Sequence, residues 1–172
     1  MMFKLIPVCL LVVTLVLFGI PNTTGEVTES YAERLIKCIK GTREYRVKPA
    51  FFALATKDHL LTGNSVMKFD NVETNIGHGY DPSTGIFTAP EPGVYAFSVS
   101  FIKGNIKYNV ELDLMKNKDV IARGHADIIP WATGSIQVII SLKRGDQIFL
   151  RQPRPKAVIW GQKYSMFTGH MI

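Results

Sequence analysis

Cysteine is scarce in this chain of 172 residues: there are two, Cys9 and Cys38. That excludes a small scaffold stapled by several disulfides. No Gly-X-Y period runs anywhere, which excludes a collagen stalk. Catalytic signatures are missing as well. The chain has no Gly-x-Ser-x-Gly elbow, no His-Glu-x-x-His, no phosphate-binding glycine loop and no dinucleotide fingerprint. Its four histidines, His59, His78, His125 and His170, stand apart from one another. An enzyme is therefore not expected. Acid is in short supply, with 14 Asp and Glu against 20 Lys and Arg, for a formal charge of +6. The excess is spread along the chain, which argues against nucleic acid as a partner. What is present is an ordinary apolar fraction, 47%, which excludes global disorder. The length allows one ordinary domain and little more.

The first 25 residues read as an address. Lys4 supplies a positive start, and residues 5–20 form an almost unbroken apolar run. Thr23 and Gly25 offer the small residues of a cleavage site. The apolar run is shorter than the ~20 residues a spanning helix needs. The expectation is a secretory signal at 1–25, an extracellular mature protein beginning at Glu26, and no membrane insertion after signal removal. Removal takes away Lys4 and no acid, leaving 20 minus one basic side chains against 14 acidic ones. It also removes Cys9, so Cys38 is left without an internal partner. Cys38 is then either a buried free thiol or one half of an intermolecular disulfide.

Residues 26–46 carry a short helical signal. Ser30 and Glu33 have capping-box spacing. Tyr31, Leu35 and Cys38 follow at helical intervals, and Gly41 supplies a stop. A helix over residues 31–40 is expected. It is marginal alone in water and places Cys38 on its apolar stripe, where it could meet a neighbouring chain.

From Val47 onward the period changes from 3.6 to 2. Tyr95, Phe97, Val99 and Phe101 alternate with Ala96, Ser98 and Ser100. Tyr108, Val110, Leu112 and Leu114 alternate with Asn109, Glu111 and Asp113. Ile136, Val138, Ile140 and Leu142 do the same, except that Ile139 is apolar on the wrong face. Gly, Pro, Asn and Asp clusters at 62–64, 81–85, 90–93, 103–105 and 116–119 punctuate these runs. Many half-buried strands without intervening helices give an all-β antiparallel sandwich or jelly roll, with one domain over residues 47–172.

One stretch is more specific. Phe69, Asn75, Tyr80, Phe87, Gly93, Tyr95 and Phe97 stand at the spacing of the complement C1q globular-domain signature. The text of residues 85–97 resembles that family closely. Its last aromatic position is Val99 here, an exchange of one apolar strand residue for another. Residues 49–53, 142–150 and 165–172 resemble the family's first strand, late hairpin and closing strand. The resemblance implies a C1q/TNF-like jelly roll of about ten strands that associates as a homotrimer, and Ile139 offers an apolar residue for that interface. Among family members, the chain is most similar to short, secreted, collagen-less forms of invertebrates such as bivalve molluscs. Those forms act as lectin-like pattern-recognition proteins of innate immunity. Cerebellin-like or cytokine-like ligands of a protein receptor, and matrix or mineral-associated proteins, are the alternatives it carries. The signature aromatics themselves are expected in the core.

Candidate binding residues lie outside the signature. The segment 151–160, read as a loop joining the last two strands, carries Arg151, Arg154, Lys156 and Trp160, with two prolines. Guanidinium forks suit carboxylates and phosphates, and indole faces stack on sugars. Trp131 belongs to the same class. These five residues are the expected glycan or microbial-ligand site, repeated in each subunit for avidity. Cys38 would join trimers into higher oligomers. No cofactor is expected. Asp127, near His125, is the one carboxylate of its loop, whereas calcium takes six to eight oxygens, so a calcium ion there would need symmetry mates, carbonyls and water. The tripeptide Arg144-Gly145-Asp146 is read as turn chemistry before adhesion.

Overall fold

Alternation of apolar and polar residues sends every second side chain into a shared interior, and here it produces strands throughout. The computed structural model describes residues 47–105 and 107–172. The expected signal sequence, the helix at 31–40 and Cys38 lie outside the described residues. Twelve strands follow in order: β1 Ala50–Leu54, β2 His59–Thr62, β3 Asn71–Ile76, β4 Tyr80–Asp81, β5 Ile86–Thr88, β6 Gly93–Ile102, β7 Val110–Lys116, β8 Asp119–Ala126, β9 Thr133–Leu142, β10 Gln147–Arg151, β11 Lys156–Ile159 and β12 Met166–Met171. All pairings are antiparallel. One five-stranded sheet has the order β3-β1-β12-β6-β9 and the other β4-β5-β10-β7-β8. A two-stranded ribbon, β11-β2, completes the strands and sends Leu61, Ala157 and Ile159 into the common core. The fold is the expected jelly-roll sandwich. The count exceeds ten because of the two-residue β4 and the ribbon.

The core is aromatic. Phe51 stacks on Tyr80 with ring centres 4.9 Å apart and meets Phe167 edge-on at 4.8 Å. Phe87 packs on Phe97 and Tyr95. Edge-on and offset contacts of this kind add to simple area burial. The signature residues thus occupy the interior, as expected. Asn75 has a different task. Its side chain donates to the Tyr80 carbonyl at 2.8 Å and accepts the Tyr80 N–H at 3.1 Å, which closes the turn before β4. Tyr80 in turn accepts the Phe69 N–H through its hydroxyl, and burial pushes that phenol up to about 12. At Gly93 a Cβ would lie 2.2 Å from the Met171 methyl, so a larger residue there would require the end of that flexible side chain to swing aside.

Three expectations are corrected. Tyr108 does not continue the alternation of β7: it precedes the strand and is two-thirds exposed. Asp113 alternates outward with Glu111 yet is fully buried, because arginines from both neighbouring strands cover it. The segment 151–160 is not a continuous loop. Arg151 closes β10, and Lys156–Ile159 forms β11 against His59–Thr62.

The turn at Arg144-Gly145-Asp146 follows ordinary chemistry. Gly145 takes φ +85°, and Asp146 accepts N–H bonds from Lys143 at 2.9 Å and Asn117 at 3.0 Å. These donors, with Lys116 beside them, lower the Asp146 carboxyl to about 2.

Candidate functional site

The alternation that sends Tyr95, Phe97, Val99 and Phe101 inward continues one step past the apolar run, to Lys103. Its backbone is fixed on both sides. The Lys103 N–H donates to Ala132 O at 3.0 Å, and Lys103 bridges Ile159 of β11. Next to it the Gly104 N–H donates to Val158 O at 2.7 Å. A Cβ on Gly104 would stand 2.4 Å from a Val158 methyl, so glycine is what lets this segment lie against β11. Lys103 is only 5% exposed, and among the described residues its amine has a single partner, the Gly104 carbonyl at 3.3 Å.

Two indoles and Lys103 line one cavity. Trp160 follows β11 and is tied by its N–H to Ile102 O at 2.9 Å. Its carbonyl accepts the buried Ser165 hydroxyl at 2.7 Å. Trp131 arrives from the β8–β9 loop and meets Trp160 edge to face, with ring centres 4.0 Å apart at 87°. Tyr164 lies on the other side of Trp160, 6.0 Å away. Together Lys103, Gly104, Asn105, Ile128, Pro130, Trp131 and Trp160 line a cavity of about 300 Å³. Trp131 remains 60% exposed, and Ile128 and Ile129 beside it are exposed too. The backbone around the cavity is strained. Trp131, Gln162 and Lys163 all take left-handed φ, at 62°, 51° and 67°. Such strain in non-glycine residues persists where the surroundings impose it and gathers at functional sites. For Gln162 and Lys163 the surroundings are the 55–58 segment: Asp58 accepts the Gly161 N–H, Thr56 O accepts the Gln162 N–H, and Ala55 O accepts the Lys163 N–H.

The other expected site residues are distributed differently. Arg154 is held by Glu111 in a two-pronged ion pair, at 2.9 and 2.7 Å. That fork holds Glu111 below the usual carboxylate range and raises Arg154. His125 Nδ1 lies 3.9 Å from the same carboxylate. Arg151 donates to Asp113 at 3.2 Å, opposite Arg123 at 2.9 Å. Both guanidiniums of the expected site are therefore already engaged by acids. Lys156 has no ion pair or hydrogen bond among the described residues. It lines a second cavity, of about 470 Å³, with Tyr108, Asn109, Arg154 and Pro155. The structure thus brings Trp131 and Trp160 together and keeps Lys156 and Arg154 in a separate cavity. Asp127 accepts the Ile128 N–H, and no group of three or more His, Cys, Asp or Glu stands together among the described residues.

Sequence reading missed Lys103 and Tyr164. In the sequence Lys103 reads only as part of a turn, although its odd number continues the inward register of β6. No local signal marks Tyr164.

Comparison with known proteins agrees with this architecture. The model of the C1q domain family matches residues 50–172. Complement C1q tumor necrosis factor-related protein 3 of Mus musculus is 34% identical over 131 residues, covering 72% of this chain and 50% of that protein. Caprin-2 of Danio rerio is 35% identical over 108 residues, covering 60% of this chain and 12% of that protein. The chain thus spans half or less of the length of these curated relatives. Among solved structures, the globular domain of zebrafish complement 1qA protein superposes with a TM-score of 0.61 at 21% identity, covering 73% of this chain and 98% of that one. Eiger TNF from S. frugiperda gives 0.63 at 11% identity, covering 74% and 94%. With the signature aromatics in the core of a two-sheet jelly roll, and a family match over that whole domain, the chain belongs to the C1q domain family, whose members bind ligands rather than catalyse reactions.

Proposed function

We propose that this protein is a secreted, trimeric, glycan-binding C1q-domain protein that recognises repetitive surfaces, including microbial ones. The observation that carries the reading is the meeting of Trp131 and Trp160, from separate segments, at a cavity that Lys103 also lines. An indole face stacks on the apolar face of a sugar ring, and a lysine amine with spare N–H groups donates to its oxygens. A cavity of about 300 Å³ suits a terminal sugar rather than a large ligand.

Domains of the C1q/TNF type typically form trimers. The outer face of the β3-β1-β12-β6-β9 sheet is suited to that role. Ile139 there is 72% exposed, Val94 is exposed on the neighbouring strand β6, Ile76 is exposed on the opposite edge strand β3, and a cavity of about 390 Å³ lies over Ser98, Gln137, Ile139 and Thr168. Three sugar sites per trimer, each weak alone, would gain roughly 10²–10⁴ in avidity on a surface of matching spacing.

Binding of the trimer to a broad glycan array, with and without calcium, tests the reading. Trp131→Ala should remove the array signal while leaving the fold intact. A signal that survives Trp131→Ala, or no signal at all, would overturn it. Ile128, Ile129 and Trp131 also form an exposed apolar loop, which favours a second reading as a ligand for a protein receptor. One saturable receptor blocked by Trp131→Ala, with an empty glycan array, would select that reading.

A further inference from the structure

Two cavities are lined by the same two stretches of chain. Residues 103–105 meet Trp160 at one, and Tyr108 and Asn109 meet Arg154, Pro155 and Lys156 at the other. Between them Gly104 lies against Val158 in the middle of β11. The cavities therefore stand at opposite ends of one seam. Lys156 opens β11 and Trp160 directly follows it, and each lines the cavity at its own end of the seam. At the rise of a strand, four residues set them about 13 Å apart.

The two ends differ in chemistry. The Trp131–Trp160 end is mainly aromatic and apolar, with Lys103 and Asn105 also in its lining. The other end is cationic. Lys156 has no acidic partner among the described residues, and exposed Lys107 adjoins Tyr108. The Arg154 fork is fixed by Glu111 through Nε and one Nη, which leaves its other Nη free to donate. Tyr108, two-thirds exposed, adds a hydroxyl and a second ring.

From this arrangement we infer that the ligand is an acidic oligosaccharide, with one sugar stacked at Trp131 and Trp160 and a carboxylate further along the same chain held by Lys156 and the free edge of Arg154. The inference rests on the glycan reading above and adds to it a length and a charge. A monosaccharide reaches one end only. A neutral chain reaches both ends but leaves Lys156 unpaired.

The test uses the protein expressed from its full sequence. Soluble uronic-acid oligosaccharides of one to six units, from glucuronate, galacturonate and mannuronate chains, are titrated by calorimetry against their neutral methyl esters. Single soluble ligands report the intrinsic site, without avidity. At least one acidic series should gain affinity once it is several units long, and should then exceed its methyl ester about tenfold, the usual worth of one charged hydrogen-bonding contact. Lys156→Glu should erase that advantage, so that the acid no longer exceeds its methyl ester. Equal binding of acid and ester, an advantage that survives Lys156→Glu, full affinity for the single unit, or no binding of any acid while array glycans remain bound would each overturn this inference alone. Loss of the Trp131-dependent array signal is the separate result that overturns the glycan reading.

Discussion

Replacing Lys103 by Met separates a structural lysine from a ligand-binding one. In the folded domain the amine makes one long hydrogen bond, 3.3 Å to the Gly104 carbonyl, and is 5% exposed. Losing such a bond costs about 0.5–1.5 kcal/mol. A methionine of similar length keeps the stem packed, and its sulfur against aromatic rings returns about 0.3–1.5 kcal/mol. The two nearly cancel, so stability should change by less than about 1 kcal/mol, or roughly 4 °C in Tm for a domain of this size. Binding should change far more. A charged donor to a sugar oxygen contributes about 1.5–3 kcal/mol, which is at least tenfold in affinity. Differential scanning fluorimetry and calorimetry with an array-selected glycan measure the two effects side by side. A Tm lowered by more than about 8 °C would show that Lys103 holds the fold. An unchanged affinity would remove it from the site.

Three further outcomes follow from the packing and the charges. Phe167 is fully buried among Phe51, Phe69, Tyr80 and Phe97, so Phe167→Ala should cost about 3–5 kcal/mol in urea unfolding, and a loss below 1 kcal/mol would contradict the packing described. Asp146 has a carboxyl lowered to about 2 from 3.8. Its stabilisation is therefore complete above about pH 4 and is lost as pH falls towards 2. Thermal melts between pH 5 and pH 2 should show this acid arm, and Asp146→Asn should flatten it. Ile139→Glu places a charge on the outer face of the β9-bearing sheet; sedimentation should then show monomers with an unaltered circular-dichroism spectrum, and an intact trimer would exclude this face from the interface.

Much of the domain is legible before any coordinates. The inward set Tyr95, Phe97, Val99 and Phe101 is a local pattern, because strand geometry alone sends alternate residues to one side. The exposure of Ile139 follows from the same register. The turn at Gly145 and Asp146 is equally local, since glycine supplies the positive φ and the aspartate caps neighbouring N–H groups. The partners of charges are a different matter. Arg154 looks free in the sequence, and its Glu111 lies 43 residues away; Arg151 and Arg123 reach Asp113 across 38 and 10 residues. Which acids stand beside them depends on β10, β7 and β8 being neighbours, an order that alternation does not specify.

The two tryptophans show the same division. Composition alone marked Trp131 and Trp160 as residues able to stack on a ligand, because that ability belongs to the indole itself. Their perpendicular contact, the cavity they share with Lys103 and the seam that leads to Lys156 arise only when the end of β6, the β8–β9 loop and β11 converge. Strand-forming character is encoded by each residue and its near neighbours. A binding cavity is a relation among segments far apart in the chain, and it exists only once the sheets have closed on their common core.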